Sequence, residues 1–287
     1  MPGVDARQTK RALIADLAGQ LDGRIAFEAD ALPYAQYEVL ARGRAELVPT
    51  RGIVEALRAV KDDDEVDRLR RAARAADFAF QALTAETWAG RSERELAWRL
   101  RQLLHANGVQ EPAFEAIILG GANGSKPHGS PSDDLVEVRS LVTCDWGARV
   151  DGYCSDCTRT VATGQLSREL RRIYDVCLEA QVAAVDGIRP GMSGIEADKI
   201  ARDVIDAAGY GEHFGHGLGH GVGVDVHEAP RLSTESEDVL EVGNAVTIEP
   251  GIYVPGVGGV RIEDLAIVRE NGVELLTSFP KELITVG

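Results

Sequence analysis

The order of patterns along the chain predicts an α+β protein whose larger part is built from two similar halves, preceded by a short α/β region. Three observations lead there. Amphipathic helix patterns precede a group of strand-like runs, that order then repeats, and the first 60 residues alternate short helices and strands on a smaller scale. With 287 residues and 44% hydrophobic side chains, the chain can bury a sizeable core.

In residues 1–60 the patterns give a helix near Thr9–Gln20, a strand at Arg24–Glu28, a helix near Pro33–Arg42 and a strand at Glu46–Pro49. The acidic run Asp62-Asp63-Asp64-Glu65 then opens a long helix in which Val66, Leu69, Ala73, Ala76, Phe80 and Leu83 recur at three- and four-residue spacing. Carboxylates in its first turn suit the positive end of the helix dipole. The boundary is placed here, giving a short or truncated α/β amino-terminal domain, 1–60, and a large domain, 62–285. Two further helices begin with capping boxes, Ser92-x-x-Glu95 and Ser193-x-x-Glu196, and end at turns containing Gly108 and Gly209. Another helix runs from about Ser167 to Asp186. Strand-like runs fall at Ala116–Leu119, Leu141–Ala148, Cys154–Ala162, Ala245–Val254 and Val260–Val268.

The formal charge of −15 argues against a nucleic-acid or anionic-membrane partner, which would be repelled over most of the surface. The start, MPGVDARQTK, lacks the apolar centre of a secretory signal, and no run approaches the roughly 20 apolar residues of a membrane helix, so a cytoplasmic protein is expected. Four clustered cysteines, Cys144, Cys154, Cys157 and Cys177, are too few for a disulfide framework and are expected to be reduced. The Cys154-x-x-Cys157 pair has no companion pair and reads as structural.

Chemistry concentrates in three segments. Leu141–Thr160 reads as a β-hairpin around Val150-Asp151-Gly152. With a two-residue loop at either Val150-Asp151 or Asp151-Gly152, Asp145 and Asp156 share one face, directly opposite or one diagonal step apart. Two carboxylates that close call for a positive charge between them. Residues 213–227 hold four of the six histidines, His213, His216, His220 and His227, laced with glycines that let the backbone approach closely. Histidines in such a stretch are easier to explain as ligands or proton carriers than as core residues. Finally, Glu249 and Glu263 sit inside apolar strands, where an unpaired carboxylate is costly and a metal would partner both. One histidine and four carboxylates make a hard, oxygen-rich site for two ions, favouring manganese, cobalt or zinc over a thiolate-type structural zinc.

These residues resemble the pita-bread metallopeptidases, specifically the aminopeptidase P and prolidase (Xaa-Pro peptidase) branch. The matching motifs are Asp145-Trp-Gly with Gly-Tyr-Cys-Ser-Asp156-Cys-Thr-Arg-Thr, Gly-His216-Gly-Leu-Gly-His220, Asp-Val-His227-Glu, Ile-Glu249-Pro-Gly-Ile-Tyr and Val-Arg261-Ile-Glu263-Asp, over residues 62 to 285. The resemblance implies two divalent metal ions, manganese first, on Asp145, Asp156, His220, Glu249 and Glu263, with Asp156 and Glu263 bridging. It implies that His128 and His227 steady the tetrahedral intermediate, that Glu249 shuttles the proton, that His216 lies beside the scissile bond, and that Arg261 supports the site by polar contact. The implied substrates are small peptides with proline in the second position, and the implied assembly is a homodimer.

Three alternatives share the fold. Methionine aminopeptidases usually carry Gln-x-Glu-His where this chain has Arg261-Ile-Glu263-Asp, and they lack the Ser-Asp-x-Thr-Arg-Thr run. A non-catalytic binding protein, or a metal-free enzyme of the creatinase kind, would lack ligands that are all present here. Members of the branch usually carry an amino-terminal domain about twice as large as residues 1–60, which leaves the choice between dipeptides and longer peptides open.

Overall fold

A computed structural model describes residues 12–287. The start of the expected Thr9–Gln20 helix, and the amino terminus read above for a secretory signal, fall outside the described residues. The chain divides into two compact units, up to Leu57 and Arg58–Gly287. In the first, α1 (Leu13–Ala18) precedes β1 (Arg24–Glu28), α2 (Tyr34–Leu40) and β2 (Glu46–Thr50), and β1 and β2 pair in parallel with α2 as the crossover. The helix α3 (Ile53–Ala59), absent from the sequence reading, follows β2; none of its residues is buried, so no core-facing stripe marks it.

The second unit repeats a helix-helix-strands order. Its first half contains α4 (Asp63–Thr84), α5 (Glu93–Ala106), β3 (Glu111–Pro112), β4 (Ile117–Gly120), β5 (Leu141–Trp146), β6 (Ala148–Val150), β7 (Tyr153–Cys154) and β8 (Cys157–Ala162). The second half contains α6 (Arg168–Gly187), α7 (Gly194–Ala207), β9 (Gly219–Gly221), β10 (Glu228–Leu232), β11 (Ala245–Ile248), β12 (Gly251–Val254), β13 (Gly258–Arg261), β14 (Asp264–Arg269) and β15 (Gly272–Leu275). Strands order as β4-β5-β8 and β3-β6-β7 in the first half, and as β10-β9-β11-β14-β15 with a β12-β13 ribbon in the second.

The helices form where the spacing predicts. Asp62, Ser92 and Ser193 each cap the N–H three residues on, and Glu65, Glu95 and Glu196 return the bond. All six apolar residues of the α4 stripe are buried, and Phe80 stacks on Trp146 with ring centroids 3.9 Å apart. A second core gathers α6 and α7 against β11–β14 through Ile173, Ala180, Ile205, Val246, Ile262 and Val268. Each half thus has its own helix-backed strands, and the halves meet where the β12-β13 ribbon lies against β5 and β8.

Candidate metal centre

At that meeting line the halves are joined by hydrogen bonds through the Thr160 hydroxyl and through the backbone. Thr160 Oγ1 donates to the Arg261 carbonyl at 3.0 Å, the Arg261 N–H returns a bond at 3.1 Å, and the Glu263 N–H donates to the Thr158 carbonyl at 3.0 Å. The hairpin register is Val150↔Tyr153 and Trp146↔Cys157, so the loop is Asp151-Gly152. Positive φ at both, 49° and 85°, makes the turn that twisted hairpins favour. Asp145 then pairs with Thr158 and stands one diagonal step from Asp156, the second of the two registers the spacing allowed.

Asp145, Asp156 and Glu263 each present an oxygen within 4.8 Å of the others. From β9, His220 brings Nε2 to 3.7 Å from Asp156 Oδ2 and 3.2 Å from Glu249 Oε1. Its Nδ1 lies 3.0 Å from the Gly221 carbonyl, which can only accept, so Nδ1 donates there and Nε2 faces the carboxylates. Glu249 Oε1 also accepts from Thr247 Oγ1 at 2.8 Å, and Thr247 Oγ1 accepts from the His220 N–H at 3.0 Å. Thr158 Oγ1 donates to Glu263 Oε2 at 2.7 Å.

The charge in this space is unbalanced. Arg261 is buried and directs Nη2 at Asp145 Oδ2 (2.6 Å), Nη1 at the Tyr253 hydroxyl (2.8 Å) and the Pro127 carbonyl (3.1 Å), and Nε at Thr158 Oγ1 (3.0 Å). One guanidinium does not offset four carboxylates. Burial first, then the neighbouring carboxylates, pushes Asp156 and Glu263 well above the usual carboxylate range, and burial raises Asp145. Glu249 goes the other way: burial opposes its ionisation, but the hydrogen bond and charge of His220 hold it down at about 2. Asp145 Oδ1 and Glu263 Oε1 are buried with no hydrogen-bond partner among the described residues. Buried acceptors left open beside like charges are costly unless a cation fills the space between them. Carboxylates with one imidazole nitrogen suit a divalent metal, so the residues fit such an ion.

The other histidines divide. His227, exposed, stands against His220 with ring centroids 4.3 Å apart. His128, also exposed, lies 6.5 Å from His216, ring to ring. His216 gives Nδ1 to the Gly217 carbonyl at 2.8 Å, which leaves Nε2 to accept from the Tyr253 hydroxyl at 3.0 Å. Burial holds His216 below its ordinary pKa, consistent with a neutral ring. His213 corrects the reading of the four histidines as one group: it ends a short 3-10 turn and packs its ring toward Tyr210, 6.3 Å away. No contact places it among the carboxylates.

Several supporting residues escaped the sequence reading. Tyr253 links Arg261 to His216, and Thr158 and Thr247 each hold a glutamate of the cluster. Arg159, 2% exposed, donates to the Glu263 carbonyl, to the Phe279 and Pro280 carbonyls, and to Asp264 Oδ1 at 2.8 Å. A signal for these existed: polar residues at positions 158, 159 and 160 in a strand buried on both faces each need a partner. The four cysteines, expected to be reduced, are free, and all four are buried.

The profile of metallopeptidase family M24 matches residues 67–270, and that of the creatinase/prolidase amino-terminal domain matches residues 3–60. The chain is 44% identical over 232 residues to an Xaa-Pro dipeptidase of Pyrococcus furiosus, covering 81% of this chain and 67% of the relative. Among solved structures, an Xaa-Pro dipeptidase from Bacillus anthracis superposes with TM-score 0.93 at 44% identity, covering 96% of this chain and 79% of that one. An X-Pro aminopeptidase from Thermotoga maritima superposes with TM-score 0.90 at 32% identity, covering 100% and 81%.

Proposed function

The chain belongs to metallopeptidase family M24, and from that premise we propose that it is a metal-dependent exopeptidase that hydrolyses the bond between an amino-terminal residue and proline. The observation that carries the reading is the cluster of Asp145, Asp156 and Glu263, with two open buried oxygens, in a chain similar to Xaa-Pro dipeptidases. Asp145, Asp156, His220, Glu249 and Glu263 would hold two divalent ions, manganese before cobalt or zinc. Bound there, the ions would acidify a water and polarise the scissile carbonyl.

The remaining steps belong to the chain. Glu249 carries a proton to the leaving proline nitrogen. His128 and His227, both exposed, donate hydrogen bonds to the substrate carbonyl and to the oxyanion that develops from it. His216 and Arg261 orient the substrate, Arg261 acting through Asp145 and Tyr253. The similar proteins bear both dipeptidase and aminopeptidase names, so the reading covers Xaa-Pro dipeptides and longer Xaa-Pro peptides. No helix among the described residues is long and apolar enough to cross a membrane. A homodimer, supported by the family resemblance and tested by light scattering, and a cytoplasmic location, tested by cell fractionation, complete the reading.

The functional test is hydrolysis of a matched Xaa-Pro dipeptide and Xaa-Pro-Yaa tripeptide by manganese-restored protein, with a methionyl-alanyl peptide as control. Cleavage of the dipeptide supports a prolidase and cleavage of the tripeptide alone an aminopeptidase P. Cleavage of only the control would refute the proline preference.

A further inference from the structure

The loop that carries His227 is anchored by a buried carboxylate that takes no part in the metal cluster. Residues 222–227 run between β9 and β10 without helix or strand, and Val224, Asp225 and His227 are exposed. Glu228, the next residue, is the opposite, with its side chain only 7% exposed. Its carboxylate accepts from the Asp225 N–H at 2.9 Å, from Lys61 Nζ at 3.1 Å and from Arg58 Nη2. Arg58 Nη2 also reaches Asp225 Oδ2 at 2.6 Å, so one guanidinium clamps both ends of the turn. The Lys61 side chain is 1% exposed. Gly223 completes the slot, since a Cβ there would lie 2.4 Å from Glu228 Oε2.

Neighbouring residues entering a strand point to opposite sides. A carboxylate locked inward at Glu228 therefore directs His227 outward. We propose that Glu228, clamped by Arg58 and Lys61, is the positioning residue for His227, fixing the Asp225–Glu228 turn so that the imidazole stands against His220. Arg58 and Lys61 precede residues 67–270, the span matched by the metallopeptidase profile, yet they belong to the catalytic apparatus. The inference rests on the reading above that His227 acts on the substrate. Without the clamp, an exposed loop free to shift by an ångström would misplace a donor whose value depends on its position.

The decisive experiment is a double-mutant cycle. Lys61→Met/Glu228→Gln removes both charges together and strands neither, and it is made in the wild type and in a His227→Ala background. In manganese-loaded protein acting on an Xaa-Pro dipeptide, the paired variant should lower kcat about 10- to 100-fold with KM and bound metal unchanged. In the His227→Ala background it should cost no more than about 2-fold, because the residue it positions is gone. Zinc-loaded protein, which is diamagnetic, should show shifted His227 ring resonances and unmoved His128 resonances. Arg58→Met, which keeps the Lys61–Glu228 pair, reads the same cycle if the paired variant does not fold. Wild-type kcat, costs that multiply regardless of His227, or unmoved His227 resonances would each overturn the assignment. If the wild type cuts no Xaa-Pro peptide, the functional reading fails by itself, and the ring resonances still decide whether Glu228 positions His227.

Discussion

Asp156 and Glu263 are buried beside other carboxylates, and the Glu263 N–H is tied to the Thr158 carbonyl of β8. Removing either side chain should therefore remove metal and activity together. For Glu263→Ala we expect bound metal to fall and Xaa-Pro turnover to drop at least about 10³-fold, the scale of several kcal/mol of lost charge stabilisation. Elemental analysis and a peptidase assay on the same samples check this. His227→Ala should lower turnover about 10²- to 10³-fold and keep the metal, because its ring stands against His220 and, among the described residues, no hydrogen bond or ion pair joins it to the carboxylates. Loss of metal from that variant would overturn the division between ligands and donors. The clustered carboxylates were legible in the sequence because each rides on or beside a strand with a strong apolar pattern. Tyr253 was not, because its partners, His216 and Arg261, are defined by three-dimensional proximity and not by spacing.

At the scale of elements, the long helices and the apolar strands were legible, β1 and β2 included, and some strands of the histidine-rich segment were not. Capping boxes and apolar stripes are local, and α4, α5 and α7 begin where those patterns begin. The strands β9 and β10 were missed because Gly219–Gly221 has no periodicity of its own and is defined by pairing with β10 and β11. The hairpin was half legible: its spacing left two registers, and the positive φ of Asp151 and Gly152 selects one. Ser193→Ala tests the capping argument. Losing the bond that the Glu196 N–H donates to the Ser193 hydroxyl should cost about 1 kcal/mol, or about 2–4 °C in Tm by calorimetry, with kcat unchanged.

Across the whole molecule, the site lies where two helix-backed halves meet, so stability and activity share contacts. Glu228 gives this a pH signature. Burial opposes its ionisation, but the Asp225 N–H, Arg58 and Lys61 outweigh that and hold the carboxyl below its usual range. A depressed folded pKa contributes stability that is fully present above the unfolded value, about 4.3, and is lost as pH falls through the folded value. Glu228→Gln should thus cost about 3 kcal/mol at pH 7, as breaking a buried pair does, and the gap to wild type should close in acid. Urea unfolding at a series of pH values measures it; a gap that widened toward acid would contradict the assignment. The net charge of −15 acts on the same scale, turning away polyanions while leaving small peptides free to enter.

The proposed two-ion centre for Xaa-Pro hydrolysis rests on five converging side chains. Its most direct test is to titrate manganese into chelator-stripped protein, following bound metal and Xaa-Pro dipeptide and tripeptide hydrolysis in the same samples. We expect activity to appear with bound metal, to reach its plateau at two ions per chain, and to be absent at every concentration in Glu263→Ala. Full hydrolysis by the stripped protein, or two tightly bound ions with no cleavage of either Xaa-Pro substrate, would contradict the account.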